Sequence, residues 1–82
     1  MNDWITVESS NLAAYRYDDD ERILYIAFSS GAVYAYLAVP AALVAGLANA
    51  ESKGKFFHKY IKGGEFAFSK TEELWAPEGG SE

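Results

Sequence analysis

The chain has 82 residues, half of them hydrophobic, and a formal net charge of −5. This length allows one domain, which should bury roughly 60% of the surface that the unfolded chain exposes. The absence of cysteine excludes disulfide bonds and thiolate metal sites. The first ten residues lack the basic patch and apolar stretch of a signal peptide, and the longest apolar run (36–48) contains Pro40 and is too short to span a bilayer. We therefore expect a soluble cytoplasmic protein.

The charge is distributed unevenly along the chain. Residues 53–62 carry four lysines and no acid, so this segment is +4, and a total of −5 leaves −9 on the rest of the chain. A polyanion would be repelled by most of the protein and attracted by this one segment.

Three short segments at the start of the chain predict a meander of antiparallel strands. The segments 12–17, 22–28 and 32–37 are rich in aromatic and branched residues. An acidic run (18–21) separates the first two, and Ser-Ser-Gly (29–31) separates the second and third. Both separators have the composition of turns.

The second of these turns allows a prediction of register, because residues that face each other in a hairpin point to the same side. If Ser30 and Gly31 form the turn, the facing pairs are Phe28–Val33, Ile26–Ala35 and Leu24–Leu37. This pairing builds one aliphatic and aromatic face. The other face then collects Tyr25, Ala27, Tyr34 and Tyr36. Tyr15 and Tyr17 could join either face, depending on the length of the first loop.

A first helix is predicted over residues 40–50. Proline suits a first helical position, and apolar residues recur at helical spacing at Leu43, Val44 and Leu47. These side chains should cover the aliphatic face of the sheet. The rest of the helix is mostly alanine with Gly46, so it either packs closely against another helix or meets a partner chain.

A second, amphipathic helix is predicted within ESKGKFFHKYIKGG (51–64), with Ser52 as its N-cap and Gly63-Gly64 as its stop. At about 100° per residue, one side carries Lys55, His58, Lys59 and Lys62, which we call the basic stripe. The opposite side carries Phe56, Phe57, Tyr60 and Ile61. The basic stripe is either the solvated side of a packed helix or a surface that binds phosphate.

The last part of the chain predicts a fourth strand and a short helical turn. EFAFSK (65–70) has the composition of a strand, and Ser69 followed by Glu72 is a capping-box pattern for a turn that Pro77 ends. The GGSE end (79–82) is expected to fray. The predicted fold is α+β, with a small antiparallel three- to four-stranded meander sheet packed by two helices.

Patterns for catalysis and metal binding are weak. His58 is the only histidine, no cysteine accompanies it, and a lysine-rich surface favours a solvated histidine. The acidic run 18–21 lacks the ligand spacing and central glycine of a calcium loop, and Lys-Gly-Lys (53–55) is not a Walker motif. An enzyme is not expected, and we assign no catalytic residue, metal or cofactor.

Several segments, taken together, resemble the KTSC domain family. They are SSNLAAYRYD (9–18), the central Tyr-x-Tyr at Tyr34 and Tyr36, the helix start Val39-Pro40, AESKGKFF (50–57) and Ile61-Lys62. The resemblance covers roughly residues 6–66 of a single domain (1–82), and leaves 67–82 as a C-terminal extension. The family is named for its occurrence at the C-terminus of some lysyl-tRNA synthetases, and it also occurs as small bacterial proteins. The resemblance implies RNA binding and assigns no catalytic residues.

Two functions follow as hypotheses. In the first, lysines contact phosphates and exposed tyrosines stack on unpaired bases of RNA or another single-stranded nucleic acid. Its candidate residues are Lys53, Lys55, His58, Lys59, Lys62, Tyr34 and Tyr36. In the second, the tyrosine face or the alanine-rich helix docks another protein or a second copy in a homodimer. The two tyrosines could equally be half-buried packing residues, and no membrane contact is expected.

Overall fold

The computed structural model describes residues 4–76, which form an antiparallel sheet covered on one side by helices. The strands are β1 (Ile5–Thr6), β2 (Leu12–Asp18), β3 (Ile23–Phe28), β4 (Ala32–Tyr36) and β5 (Phe68–Leu74), and they lie side by side in chain order. Helix α1 (Ala41–Asn49) is followed by α2 (Lys53–Phe56), which continues as a π-helix (Phe57–Lys62). No helix within this part of the chain is long and apolar enough to cross a membrane.

The α+β class and the antiparallel meander are confirmed, whereas the predicted number of strands is too low. The sheet has five strands. Strand β1 was missed because two residues are too few to show a periodic pattern.

The helical turn predicted after Ser69 is wrong, because residues 68–74 form β5. This strand pairs with β4, and the Thr71 hydroxyl also donates to the carbonyl of Val33 at 3.0 Å. Pairing satisfies the backbone groups of this segment that face β4, whereas an isolated helical turn is only marginally stable in water. Pro77 and the GGSE end lie outside the described residues.

The register predicted for the β3–β4 hairpin is wrong by one residue. The loop has three residues, with the Gly31 N–H donating to the carbonyl of Phe28 at 2.8 Å and Gly31 at φ +96°. Three-residue hairpin loops use a residue in this left-handed region, which favours glycine. The observed pairs are Leu24–Tyr36, Tyr25–Ala35, Ile26–Tyr34 and Ala27–Val33. Tyr34 and Tyr36 therefore share a face with Leu24 and Ile26 and lie on the opposite face from Tyr25.

The main core lies between the helices and the sheet. Its buried residues are Leu12, Tyr15, Leu24, Ile26, Tyr36, Val39, Leu47, Phe57 and Ile61. From the predicted faces of the strands and helices, ten residues are expected in one core. Five of them, Leu24, Ile26, Leu47, Phe57 and Ile61, are buried there, and Phe28, Leu43 and Val44 pack at its margin. Val33 belongs to the other face and Leu37 is exposed, both as a consequence of the shifted register.

Both undecided tyrosines of β2 belong to the side that the helices cover. Tyr15 faces Ile26 and Tyr17 faces Leu24 across the β2–β3 pair. The Tyr17 hydroxyl donates to the carbonyl of Val39 at 2.6 Å, which ties the sheet to the segment that enters α1.

Side chains from both ends of the described chain close the other face of the sheet. Ala14, Ala27 and Val33 are fully buried there beneath Trp4, Tyr25 and Trp75. The two tryptophan rings meet edge to face at 6.3 Å, and the Arg16 guanidinium lies 4.1 Å from the centre of the Tyr25 ring and 3.4 Å from Glu73. This face of the sheet is therefore packed in the described part of the chain.

Helix α1 packs closely on α2 through Gly46, which supports the interpretation of internal packing for this side of the helix. A Cβ atom at Gly46 would lie only 2.7 Å from the Phe56 ring, so a larger residue would displace this ring. Four alanines, Ala41, Ala42, Ala45 and Ala48, remain exposed on α1.

The second helix is confirmed, and its last turns are wider than an α-helix. The Ser52 side chain accepts from the Lys55 N–H, as expected of an N-cap, and the Gly63 N–H donates to the carbonyl of His58, five residues earlier. Because a π-helix turns less per residue, Phe57 and Ile61 both point inward while Tyr60 is 45% exposed. Of the four residues on the side opposite the basic stripe, Phe57 and Ile61 are buried, whereas Tyr60 is exposed.

Candidate nucleic-acid interface

A groove of about 600 Å³ opens on the helix side of the sheet, between the π-helix, the β3–β4 hairpin and β5. Its aromatic lining consists of Phe28, Tyr34, Tyr36, Phe57 and Phe68. A volume of this size lies within the range of sites that hold small organic ligands.

The aromatic rings of the groove hold one another in place. Phe68 stacks on Tyr36 with ring centres 5.3 Å apart, and Phe28 meets Tyr34 edge to face at 5.4 Å. Phe57 presents its edge to both Phe28 and Tyr36 from beneath, at 5.7 and 5.6 Å. Phe68 nevertheless remains 58% exposed and Tyr34 is partly exposed, so part of each ring is open to a ligand.

Tyr36 stays neutral at ordinary pH. Burial, and then the neighbouring Tyr34 hydroxyl, raise the pKa of Tyr36 above its usual value. A raised pKa keeps the phenol protonated, so Tyr36 can offer a hydrogen bond without adding a negative charge. The groove floor is therefore compatible with an anionic ligand.

The π-helix supplies the positive side of the groove. His58 and Lys62 both line it, and within the described part of the chain no acidic residue does. Lys55 and Lys59 are exposed on the same helix outside the groove, and the Lys59 ammonium lies 5.3 Å from the centre of the Tyr60 ring. All four residues of the basic stripe are thus solvent-accessible, and two of them, His58 and Lys62, line the groove.

The structure therefore brings together part of the predicted site. Tyr34, Tyr36, His58 and Lys62 line one groove. Lys53 has a different contact, because its ammonium donates to the carbonyl of Ala50 at 3.2 Å and holds the connection between the two helices.

Other residues of the groove were missed by sequence reasoning. Phe28 and Phe57 were assigned to the core alone, and Phe68 joins Tyr36 only through the β4–β5 pairing. Lys70 faces Tyr34 in the same pairing, so it lies on the groove side of the sheet and was not counted. No local pattern reveals these neighbours, because they depend on which strands pair and in which register.

The acidic turn lies at the other end of β3 from the groove. The carboxylates of Asp18, Asp19 and Asp20 lie within 4.8 Å of one another. Asp18 accepts from the backbone N–H groups of Asp20 and Glu21 at 3.1 and 3.2 Å, which is the ordinary role of an aspartate that begins a turn.

Comparison with known proteins shows that this chain is similar to a recurrent small domain. The family model described as the KTSC domain matches residues 8–66. A KTSC domain protein from Yersinia pestis, known from a crystal structure, aligns with a TM-score of 0.80 and 37% identity over 87% of this chain and 99% of that one. A protein of Stutzerimonas stutzeri is 41% identical over 71% of this chain and 82% of its own length.

Two further relatives are much longer enzymes. A lysine–tRNA ligase from Nostoc sp. (strain PCC 7120) is 46% identical over 56 residues, and one from Trichormus variabilis matches equally well. In both cases the alignment covers 68% of this chain and 10% of the ligase, so the chain spans about a tenth of the length of these relatives. With the family model covering more than two thirds of its residues and the fold shared with a solved member, the chain belongs to the KTSC domain family.

Proposed function

We propose that this chain is a small non-catalytic module that binds short single-stranded RNA. The observation that carries the proposal is the aromatic groove bordered by His58 and Lys62, with Lys55 and Lys59 exposed on the adjoining helical turns. Aromatic faces for bases beside cations for phosphates are the combination that single-strand binders use.

The two parts of the surface have different tasks. Bases stack on the open faces of Phe68 and Tyr34, and such stacking contributes about 1–3 kcal/mol per base. Lys62 neutralises the phosphate nearest the groove, and Lys59 and Lys55 neutralise those that follow along the helix. π-helical turns occur frequently at functional sites, which agrees with a ligand at this helix.

The choice of RNA and of a short single strand has two supports. The ligase relatives act on tRNA, as their name states, and they contain a segment homologous to this chain. The residues outside 53–62 carry a net charge of −9. They therefore repel the phosphates of any long strand or duplex that extends beyond the basic stripe.

A titration of the ¹⁵N-labelled protein with a single-stranded RNA hexamer at about 50 mM salt tests the proposal. Amide shifts are expected in the π-helix and around Phe68 and Tyr34, and not around Trp4 and Trp75 on the other face of the sheet. The three phosphate contacts of Lys55, Lys59 and Lys62 give a log-log salt slope no steeper than roughly −2. A hexamer duplex serves as the control and should bind more weakly. If the single strand causes no shifts at this salt concentration, the protein does not bind RNA through this surface.

Self-association through α1 is a second candidate function, and it rests on the four exposed alanines of that helix. If this face joins two copies, the protein should sediment as a dimer at micromolar concentration. Ala45→Glu should then produce a monomer of unchanged stability, because Ala45 is exposed and its replacement buries no charge. A wild-type protein that sediments as a monomer across the concentration range excludes this candidate.

A further inference from the structure

Strand β5 forms a long free edge of the sheet. The other edge strand, β1, has two residues, whereas β5 has seven. At the two ends of β5, the Ala67 carbonyl and the Trp75 N–H bond toward the β3–β4 hairpin, at 2.8 and 2.9 Å. Because backbone groups alternate along a strand, the adjacent residues Phe68 and Leu74 present their N–H and C=O groups to the outer edge. Within residues 4–76 no strand lies beyond β5, so this edge can accept one.

The residues at both ends of β5 are apolar and exposed. Phe68 is 58% exposed and Leu74 is 77% exposed, the two largest values among the exposed large hydrophobic side chains of the described chain. Phe68 faces Tyr36 and Leu74 faces Ala32 across the β4–β5 pair. Tyr36 and Ala32 both line the groove, so Phe68 and Leu74 lie on the groove side of the sheet. A long edge strand that exposes apolar side chains is a surface suited to strand pairing.

The sequence of β5, FSKTEEL, is complementary to a second copy of itself. Antiparallel pairing about Thr71 places Phe68 opposite Leu74 and Lys70 opposite Glu72, and symmetry makes each contact twice. A lysine on an edge strand ordinarily opposes pairing. Here pairing brings the ammonium to a carboxylate of the second copy, and opposite charges that face each other across two strands stabilise the pair.

The irregularity in the β4–β5 pairing leaves these residues on one side of the sheet. Between the pairs Tyr34–Lys70 and Ala32–Leu74, β4 advances two residues and β5 four. Both numbers are even and successive side chains alternate, so Lys70, Glu72 and Leu74 all lie on the groove side. Their backbone groups point to the outer edge for the same reason. Lys70 and Glu72 are exposed, as a contact with a second copy requires.

We infer that two copies of this chain associate through β5, with the twofold axis at Thr71, and that their five-stranded sheets join into one. The inference does not rest on RNA binding. An axis perpendicular to the sheet puts both grooves on the same face of the joined sheet. Seven residues span only about 24 Å and bury a small area, so the dimer is weak and forms at high protein concentration, on the order of 100 µM.

Sedimentation velocity from about 10 µM to 1 mM protein, at about 50 mM salt, tests the inference through charge reversal. The wild-type protein should change from monomer to dimer across this range. Lys70→Glu and Glu72→Lys each bring like charges together twice and should weaken association at least about fivefold. The double variant, Lys70→Glu with Glu72→Lys, restores the opposite pairs and should associate as the wild type does. Lys62→Glu is the matched control, because it makes the same charge change on the π-helix, and should alter association less than about twofold.

A cysteine at the axis gives a second measurement, since the chain has no cysteine of its own. In Thr71→Cys the two new thiols face each other across paired strands, where Cα atoms lie about 4.5–5.5 Å apart, within the span of a disulfide. Mild oxidation at high protein concentration should therefore link two copies. Ser69→Cys is the control, because the two Ser69 positions lie four residues apart along the paired strands, about 14 Å, which is too far for a disulfide.

The outcomes decide the inference without RNA. A monomer at every concentration, equal losses for Lys62→Glu and Lys70→Glu, a double variant that does not recover, or equal cross-linking at the two cysteine positions overturns it. Dimerisation that Ala45→Glu abolishes also overturns it, because the contact would then belong to α1. Unfolding curves that match the wild type establish that the variants are folded. The hexamer titration judges RNA binding separately.

Discussion

Replacing Ile26 by Ala is expected to lower the free energy of unfolding by roughly 2–5 kcal/mol. Ile26 is 0% exposed, lies on the central strand β3, and belongs to the core that the helices cover. Its strand is paired on both sides, with Tyr15 and Tyr34 directly opposite, so the surrounding structure has little freedom to collapse into the cavity. Urea unfolding followed by far-UV circular dichroism measures the loss.

Ile5→Ala is the matched control, because it makes the same substitution on the edge strand β1, where the side chain is 51% exposed. A change within about 0.5 kcal/mol is expected there. If Ile26→Ala costs no more than Ile5→Ala, the face of β3 that packs on the helices has been assigned incorrectly.

Reversing two charges of the basic stripe, Lys59→Glu with Lys62→Glu, is expected to weaken binding of a single-stranded RNA hexamer by more than about 100-fold at 50 mM salt. A slope of about −0.7 per phosphate contact means that each contact contributes roughly eightfold at 50 mM relative to 1 M salt. Loss of two contacts therefore accounts for about 60-fold, and repulsion between the new carboxylates and the phosphates adds to it. Fluorescence anisotropy of a labelled hexamer at several salt concentrations measures both the affinity and the slope.

The fold should tolerate this double substitution, since both lysines are exposed, and the unfolding curve of the variant checks this. A second control separates the effect of position from the effect of net charge. The single variants Lys62→Glu and Arg22→Glu change the net charge equally, and their affinities for the hexamer are compared. Arg22 is exposed in the acidic turn, which lies far along β3 from the groove, and its reversal should change affinity less than about twofold. Equal losses for the two single variants would mean that overall charge, and not the basic stripe, governs binding.

The pairing of the basic stripe with the tyrosines could not be obtained from the sequence. The predicted register placed Tyr34 and Tyr36 on the face away from the helices, where they could not meet Lys62. One additional loop residue, Ser29, turns every side chain of β4 to the other face, because successive residues of a strand alternate. Tyr36 is then buried by its contacts with Phe57 of the π-helix and Phe68 of β5, while Phe68 itself remains exposed.

The sequence by itself determined the features that depend on local patterns. The three central strands, both helices, the Ser52 cap and the exposed position of Lys55, His58, Lys59 and Lys62 follow from composition, turn residues and helical spacing, which act within a few residues. The register of the β3–β4 hairpin, the strand β5, the wide π-helical turn that exposes Tyr60, and the groove shared by Asn11, Tyr34 and Lys62 were decided only by the tertiary structure. The strand β5 and the groove depend on contacts between segments far apart in the chain, and the burial and hydrogen bonds gained there outweigh the weak local preferences that predicted otherwise. The hairpin register depends on the conformation of a three-residue loop, and the π-helical turn accompanies the burial of Phe57 and Ile61 in the core.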